Sequence, residues 1–136
     1  MKLKRKLFLW APVVIWCGVI FLFSSIPTLP AVGFDWTDFL AKKTAHLTEY
    51  AILYLLIMRA LKNNYQLKAI SYKLILLAFI FGLLYAISDE LHQRFVMGRT
   101  SRARDVAIDF LGLSIGWYLY TRKQNWLARM IPEKWL

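Results

Sequence analysis

Four apolar runs constrain this chain more than any other feature: Leu7–Phe23, Ala45–Leu61, Leu74–Ile87 and Val106–Tyr120. A run of about 20 apolar residues crosses a bilayer as a helix. Within lipid the backbone must satisfy its own polar groups, which restricts such segments to helices or closed barrels. The third run is short and must extend backwards past Lys73, whose stem can snorkel, or forwards into polar sequence. The predicted helices are about 7–24, 43–61, 70–96 and 102–121. With 136 residues, 59% of them hydrophobic, a soluble domain has too little interior to hide so much apolar surface. The expected fold is all-α: one domain over 1–136, a polytopic membrane protein built as a four-transmembrane-helix bundle.

The connections suit that reading. Residues 1–6 are basic and precede an apolar run, as in a signal peptide, but Ser24-Ser25-Ile26-Pro27 offers no small-x-small cleavage site. Trp16 also spoils lipidation at Cys17, so a retained first helix is expected. Ser24–Lys42 reads as a loop, broken by Pro27, Pro30 and Gly33, with Phe34, Trp36 and Phe39 at headgroup depth. Gly98 marks a turn, and Thr100 or Ser101 can cap the fourth helix. The tail Asn125–Leu136 reads as an amphipathic interfacial segment. A lone Cys17 supports neither a disulfide nor a Cys-based metal site.

The net charge of +10 belongs to basic residues at helix ends rather than to a nucleic-acid footprint, so no nucleic-acid partner is expected. Twelve of the 18 Lys and Arg lie at the two termini and in the 59–73 connection. The positive-inside rule therefore puts both termini in the cytoplasm of a multi-pass protein. Seven of the eight acidic residues fall at the opposite end, which is where function is to be sought.

Three constellations sit there. In the first, Lys43, His46 and Tyr50 share one helical stripe, with Glu49 beside His46. They either line a polar pocket, or Lys43 snorkels, Glu49 favours the helix start and His46 is an interhelical hydrogen-bonder. The second is Asp89-Glu90-Leu91-His92-Gln93, where Asp89 and Gln93, and Glu90 and Arg94, stand at i, i+4. This density could hold a divalent cation, but H-E-x-x-H is absent and a salt-bridge network closing the bundle is the stronger reading. No metal ligands or cofactor are assigned. The third places Asp105, Asp109, Gly112 and Gly116 on one stripe. The glycines allow close helix approach, within the bundle by default or between subunits as an oligomer contact. Asp109 should face the interior, with Arg99, Arg102, Lys43 or His46 as partner.

Taken in order, Ser24-Ser25-Ile26-Pro27, Lys43-x-x-His46-x-x-Glu49-Tyr50, Asp89-Glu90-x-His92-Gln93, Gly98-Arg99 and Asp105-x-x-x-Asp109-x-x-Gly112 resemble the VanZ-like family of small bacterial membrane proteins. The family is named for a teicoplanin-resistance protein. Met97 stands where Pro is frequent and Asp109 where Asn is usual; the second departure introduces an ionisable group. The resemblance implies a cell-envelope role in the bacterial cytoplasmic membrane, with a contribution to glycopeptide tolerance.

Two functions are expected to compete. In the first, an outward-facing pocket binds an anionic lipid, a cell-wall precursor or the glycopeptide itself. Its candidate residues are Lys43, His46, Glu49, Tyr50, Asp89, Glu90, Gln93, Arg99, Asp105 and Asp109, with Arg102 and Arg104 adding charge and Phe34, Trp36 and Phe39 adding apolar contact. In the second, a membrane enzyme works on a lipid-linked substrate, with candidates His46, Glu90, His92, Asp105 and Asp109 in acid–base or metal-assisted roles. A small transporter ranks behind both.

Overall fold

The computed structural model describes residues 2–27, 36–65, 71–99 and 102–130, with side chains for all of these except 2–3, 64–65 and 123–130. Four helices follow one another: α1 (Lys2–Ser24), α2 (Trp36–Tyr65), α3 (Tyr72–Gln93) and α4 (Ala103–Met130). No strand occurs among the described residues.

Neighbours in sequence run antiparallel. Near the start of α1, Arg5 donates to Asn63 O near the end of α2 at 3.2 Å, and further along Trp16 Nε1 donates to Glu49 O at 2.9 Å. Alternate helices are therefore parallel. Between α1 and α3, Trp10 meets Phe81 edge-on, Tyr85 donates to Cys17 O, and Ser24 meets Asp89, the numbers rising together. Between α2 and α4 the same holds, from Lys43 with Asp105 to Ala51 with Gly116.

Helix limits depart from the sequence expectation in explicable ways. α2 starts at Trp36 rather than near residue 43, so residues 36–42 of the expected first loop are helix. No Gly or Pro stands between Gly33 and Gly82, and Asp38 in the first turn pairs with Lys42 one turn on, at 2.7 Å. An acid in the first turn also suits the helix dipole. α3 starts at Tyr72 because Ser71 caps it, accepting from Lys73 N. It ends at Gln93, and the turn that follows contains Gly98 at φ 77, a left-handed conformation that costs glycine little. α4 continues to Met130, so its backbone runs unbroken into the expected interfacial segment; no breaker stands between Tyr120 and Met130. Thr100, Ser101, Pro30, Gly33 and Phe34 lie outside the described residues, as does the tail beyond Met130.

α2 is the enclosed helix. Tyr50, Leu53, Tyr54, Ile57, Met58 and Leu61 are buried against Val13 and Ile20 of α1, Leu74, Ala78 and Ala86 of α3, and Leu113 of α4. The outer faces of the other helices are apolar and exposed: Leu7, Phe8, Val14 and Ile15 on α1, Leu76 and Leu84 on α3, Leu111 and Leu119 on α4. Buried polar groups include Asp89, Glu90, Gln93, Asp105 and Asp109. Acids inside and leucines outside invert the usual distribution for a domain in water. Among the described residues two helices, not four, are long and apolar enough to cross a membrane by themselves, Lys4–Ser24 and Tyr72–Gln93. His46, Glu49 and Arg59 interrupt α2, and Asp105 and Asp109 interrupt α4.

Candidate functional site

The polar residues collect where α1 and α3 end and α2 and α4 begin. Helical spacing fixes the pairing of α2 with α4. Residues 43, 46, 50 and 54 form one stripe and 105, 109, 112 and 116 another, and the two mesh in register. Lys43 forms an ion pair with Asp105. His46 Nδ1 lies 2.9 Å from Asp109 Oδ1, with the Asp109 side chain 1% exposed. Below them the glycines let the backbones touch. A Cβ on Gly112 would lie 2.7 Å from Leu47 O, and one on Gly116 2.6 Å from Ala51 O. The glycine stripe meets α2 of the same chain, the contact within the bundle expected by default. Of the four partners expected for Asp109, His46 is the one found.

A second knot ties α1 to α3. Asp89 Oδ2 accepts from Ser24 Oγ at 2.9 Å and from Gln93 Nε2 at 2.8 Å, and Gln93 Nε2 also reaches Ser24 Oγ at 3.3 Å. Beside it His92 Nε2 sits 3.0 Å from Ser25 Oγ, with its ring against Phe21. His92 therefore belongs to the α1 contact and not to the His46–Asp109 pair. Glu90 reaches across the turn instead: its Oε1 accepts from Arg102 N at 2.6 Å, satisfying a donor at the start of α4.

Arg99 has a role that composition did not suggest. Its Nε donates to Ile26 O at 3.2 Å and its Nη2 to Phe23 O at 2.6 Å, so it caps the carbonyl end of α1. Both acceptors are neutral, and no carboxylate pairs with the guanidinium among the described residues. A guanidinium has five N–H donors, so several remain available. Arg102 and Arg104 do not share this position. Arg104 lies over Phe39 and 3.8 Å from Asp105, and the Arg102 side chain is exposed. Phe39 likewise serves Lys43 and Arg104 rather than a ligand pocket, and Trp36 packs edge-on against it.

Between these groups lies a cleft of ≈ 420 Å³ lined by Phe23, Ser24, Ile26, Lys42, Ala45, His46, Glu49 and Arg99. Of the predicted binding residues, His46, Glu49 and Arg99 line it. Lys43, Asp105 and Asp109 do not line it but join α2 to α4, with Asp109 meeting the lining residue His46, while Asp89 and Gln93 hold Ser24 in place. Ser24 and Lys42 escaped sequence reasoning as lining residues. The signal for Ser24 was present, since a Ser-Ser pair closing an apolar helix supplies hydroxyls where backbone carbonyls run out of partners.

Several buried oxygens here lack a hydrogen-bond partner: Asp89 Oδ1, Glu90 Oε2, Asp109 Oδ2 and the hydroxyls of Tyr50 and Tyr54. Desolvated polar atoms of this kind are costly unless something meets them. No group of three or more His, Cys, Asp or Glu side chains is arranged to hold a metal among the described residues. If Nδ1–H is donated to an ionised Asp109, a neutral His46 keeps Nε2 as its proton-accepting nitrogen.

A protein-family model described as VanZ/LLP1 matches residues 8–127. No curated protein and no solved structure matches the chain.

Proposed function

The chain belongs to the VanZ/LLP1 family, and from that premise we propose that this membrane protein binds an anionic group of an envelope component in the cleft between α1, α2 and Arg99. Arg99 is the observation that carries the reading. It is held by the carbonyls of Phe23 in α1 and Ile26 just after it, lines the cleft and forms no ion pair with a carboxylate among the described residues. A phosphate or carboxylate meeting such a guanidinium forms paired, charge-assisted hydrogen bonds without first having to order the side chain. Lys42 also lines the cleft, with its ammonium paired to Asp38 at 2.7 Å.

The topology in this reading is four spans, both termini cytoplasmic, with the cleft facing outward in the bacterial cytoplasmic membrane. Exposed apolar faces on α1, α3 and α4 support it. So does the pairing of the charges in α2 and α4: Lys43 with Asp105 and His46 with Asp109 present closed pairs, not free charges, to the bilayer core. Holding an anionic precursor or the drug at the outer surface is how the protein would contribute to glycopeptide tolerance.

The experiment is expression in a susceptible Gram-positive host. The wild-type chain should raise the teicoplanin concentration needed to stop growth. Arg99→Gln should return it to the vector level at unchanged membrane abundance, and Arg99→Lys should retain part of the effect. Full protection by Arg99→Gln would refute the assignment.

A second reading has its own observation. His46, oriented by a buried carboxylate 2.9 Å away, is built like a general base and opens on the cleft. In it, His46 Nε2 takes a proton from a hydroxyl or water next to a lipid-linked substrate. Turnover of such a substrate, lost in His46→Gln while binding persists, would favour it over simple binding.

A further inference from the structure

Glu49 is difficult to reconcile with a purely anionic ligand. It lines the same cleft as Arg99, yet no ion pair joins the two and its carboxylate has no hydrogen-bond partner among the described residues. A cleft that holds a guanidinium and a carboxylate, near enough to feel each other's charge but not closed into an ion pair, is complementary to a dipolar group with an anion and an ammonium held apart. A bare phosphate would satisfy Arg99 and be repelled by Glu49.

The cleft also continues sideways. A groove of ≈ 510 Å³ adjoins it between α1 and α2, and both are lined by Phe23, Ala45 and Glu49. The groove runs on between Trp16 and Phe23 of α1 and Leu40, Thr48 and Ile52 of α2. Leu40 to Ile52 is twelve residues, about 18 Å along a helix axis, and starts at the end that carries the cleft. Its walls are mostly apolar. Trp16 closes the inner end, held there by its hydrogen bond to Glu49 O. Glu49 thus contributes its backbone to the floor of the groove and its side chain to the cleft.

We infer that the ligand is a membrane lipid whose headgroup carries both an anion and a primary ammonium. It enters laterally between α1 and α2, with one chain in the Trp16–Ile52 groove, its anion on Arg99 and its ammonium on Glu49. This rests on the reading of the cleft as an anion site and adds two requirements, the amine and the chain.

The test is native mass spectrometry on the detergent-purified full chain. It is titrated with dioleoyl phosphatidylethanolamine, dioleoyl phosphatidic acid, dioleoyl phosphatidylcholine and soluble glycerophosphoethanolamine. Phosphatidylethanolamine should bind about tenfold or more tighter than phosphatidic acid, a difference of about 1.4 kcal/mol per tenfold. Glu49→Gln should erase that preference while leaving phosphatidic acid bound. Thr48→Trp and Ala41→Phe, both on exposed groove positions, should weaken the lipid about tenfold and leave the soluble headgroup unchanged. Circular dichroism and a single elution peak establish that each variant is folded.

Equal binding of phosphatidylcholine and phosphatidylethanolamine, insensitive to Glu49→Gln, would reduce the contact to annular lipid and overturn the inference. Phosphatidic acid binding as tightly as phosphatidylethanolamine, and dependent on Arg99, would overturn the zwitterion while leaving the anion site standing. Soluble headgroup binding as tightly as the lipid would remove the groove. If no probe binds and Arg99→Lys and Arg99→Gln both change nothing, the anion site falls with it.

Discussion

Asp109 of α4 meets His46 of α2 at 2.9 Å, one turn from where Gly112 lies against the backbone of Leu47. The His46–Asp109 contact and the close approach are one arrangement. Without the glycines the two helices would stand too far apart for a histidine and an aspartate to touch, and without the pair the helices would meet across a buried, uncompensated acid.

Removing one member should therefore cost more than removing both. His46→Leu leaves Asp109 desolvated and unpaired, a loss of about 3–5 kcal/mol for a buried pair. The double variant His46→Leu/Asp109→Leu should recover most of it. Denaturant unfolding of the purified chain followed by far-UV circular dichroism reads this; additive losses would argue that the pair is not coupled.

Gly112→Ala and Gly116→Ala should each destabilise by about 1–3 kcal/mol. Their new methyl groups would lie 2.7 Å and 2.6 Å from backbone carbonyls, which cannot turn aside. Gly18→Ala is the control, because nothing lies within 4 Å of its Cβ position. Gly82→Ala should fall between, since what it meets is the flexible end of Leu113. Thermal unfolding of the four variants should follow that order.

Glu90 holds Arg102 N at the start of α4. Glu90→Ala should speed amide hydrogen exchange over residues 102–106, while Glu90→Gln, which keeps an acceptor oxygen, should change it little. A capping contact of this kind is worth about 0.5–2 kcal/mol. Exchange unchanged in the Ala variant would mean that the contact does not hold the helix end.

The Ser24–Asp89–Gln93 knot should be graded. Asp89 Oδ2 takes two donors, so Ser24→Ala leaves one in place and should cost about 1 kcal/mol. Combining it with Gln93→Leu strips both and should cost more than the sum of the single changes. A double-mutant cycle by denaturant unfolding measures the excess; strict additivity would count against a shared network.

Topology is open to direct labelling. In a Cys17→Ala background, Met97→Cys, in the exposed turn after α3, should react with a membrane-impermeant maleimide on intact cells. Asn63→Cys, at the exposed end of α2, should react only after permeabilisation. The reverse pattern would invert the orientation.

Much of the architecture was legible in the residues. The number of helices followed from the apolar runs, the α2–α4 register from two stripes at helical spacing, and the turn after α3 from Gly98. The helix starts were less legible. Trp36 and Phe39 have the composition of an interfacial loop, and only the absence of breakers after Gly33, with the Asp38–Lys42 pair, turns them into helix. The arginines were the least legible. Arg99, Arg102 and Arg104 are alike in sequence, and nothing local distinguishes the one that caps α1 from those that do not.

The sequence by itself determined that this chain is all-helical, that it belongs in a membrane environment and that its ionisable residues gather at one end. Those properties follow from hydrophobic periodicity and composition, which act locally along the chain. The tertiary structure decided which charges cancel and which stay available. Lys43 with Asp105 and His46 with Asp109 close on each other because α2 and α4 lie parallel and in register. His92 is drawn away to Ser25 because α3 packs on α1. Arg99 and Glu49 are left facing one cleft because their neighbours are already engaged elsewhere. The two pairs that close between α2 and α4 join residues 62 and 63 positions apart, and local periodicity and composition do not bring such residues together.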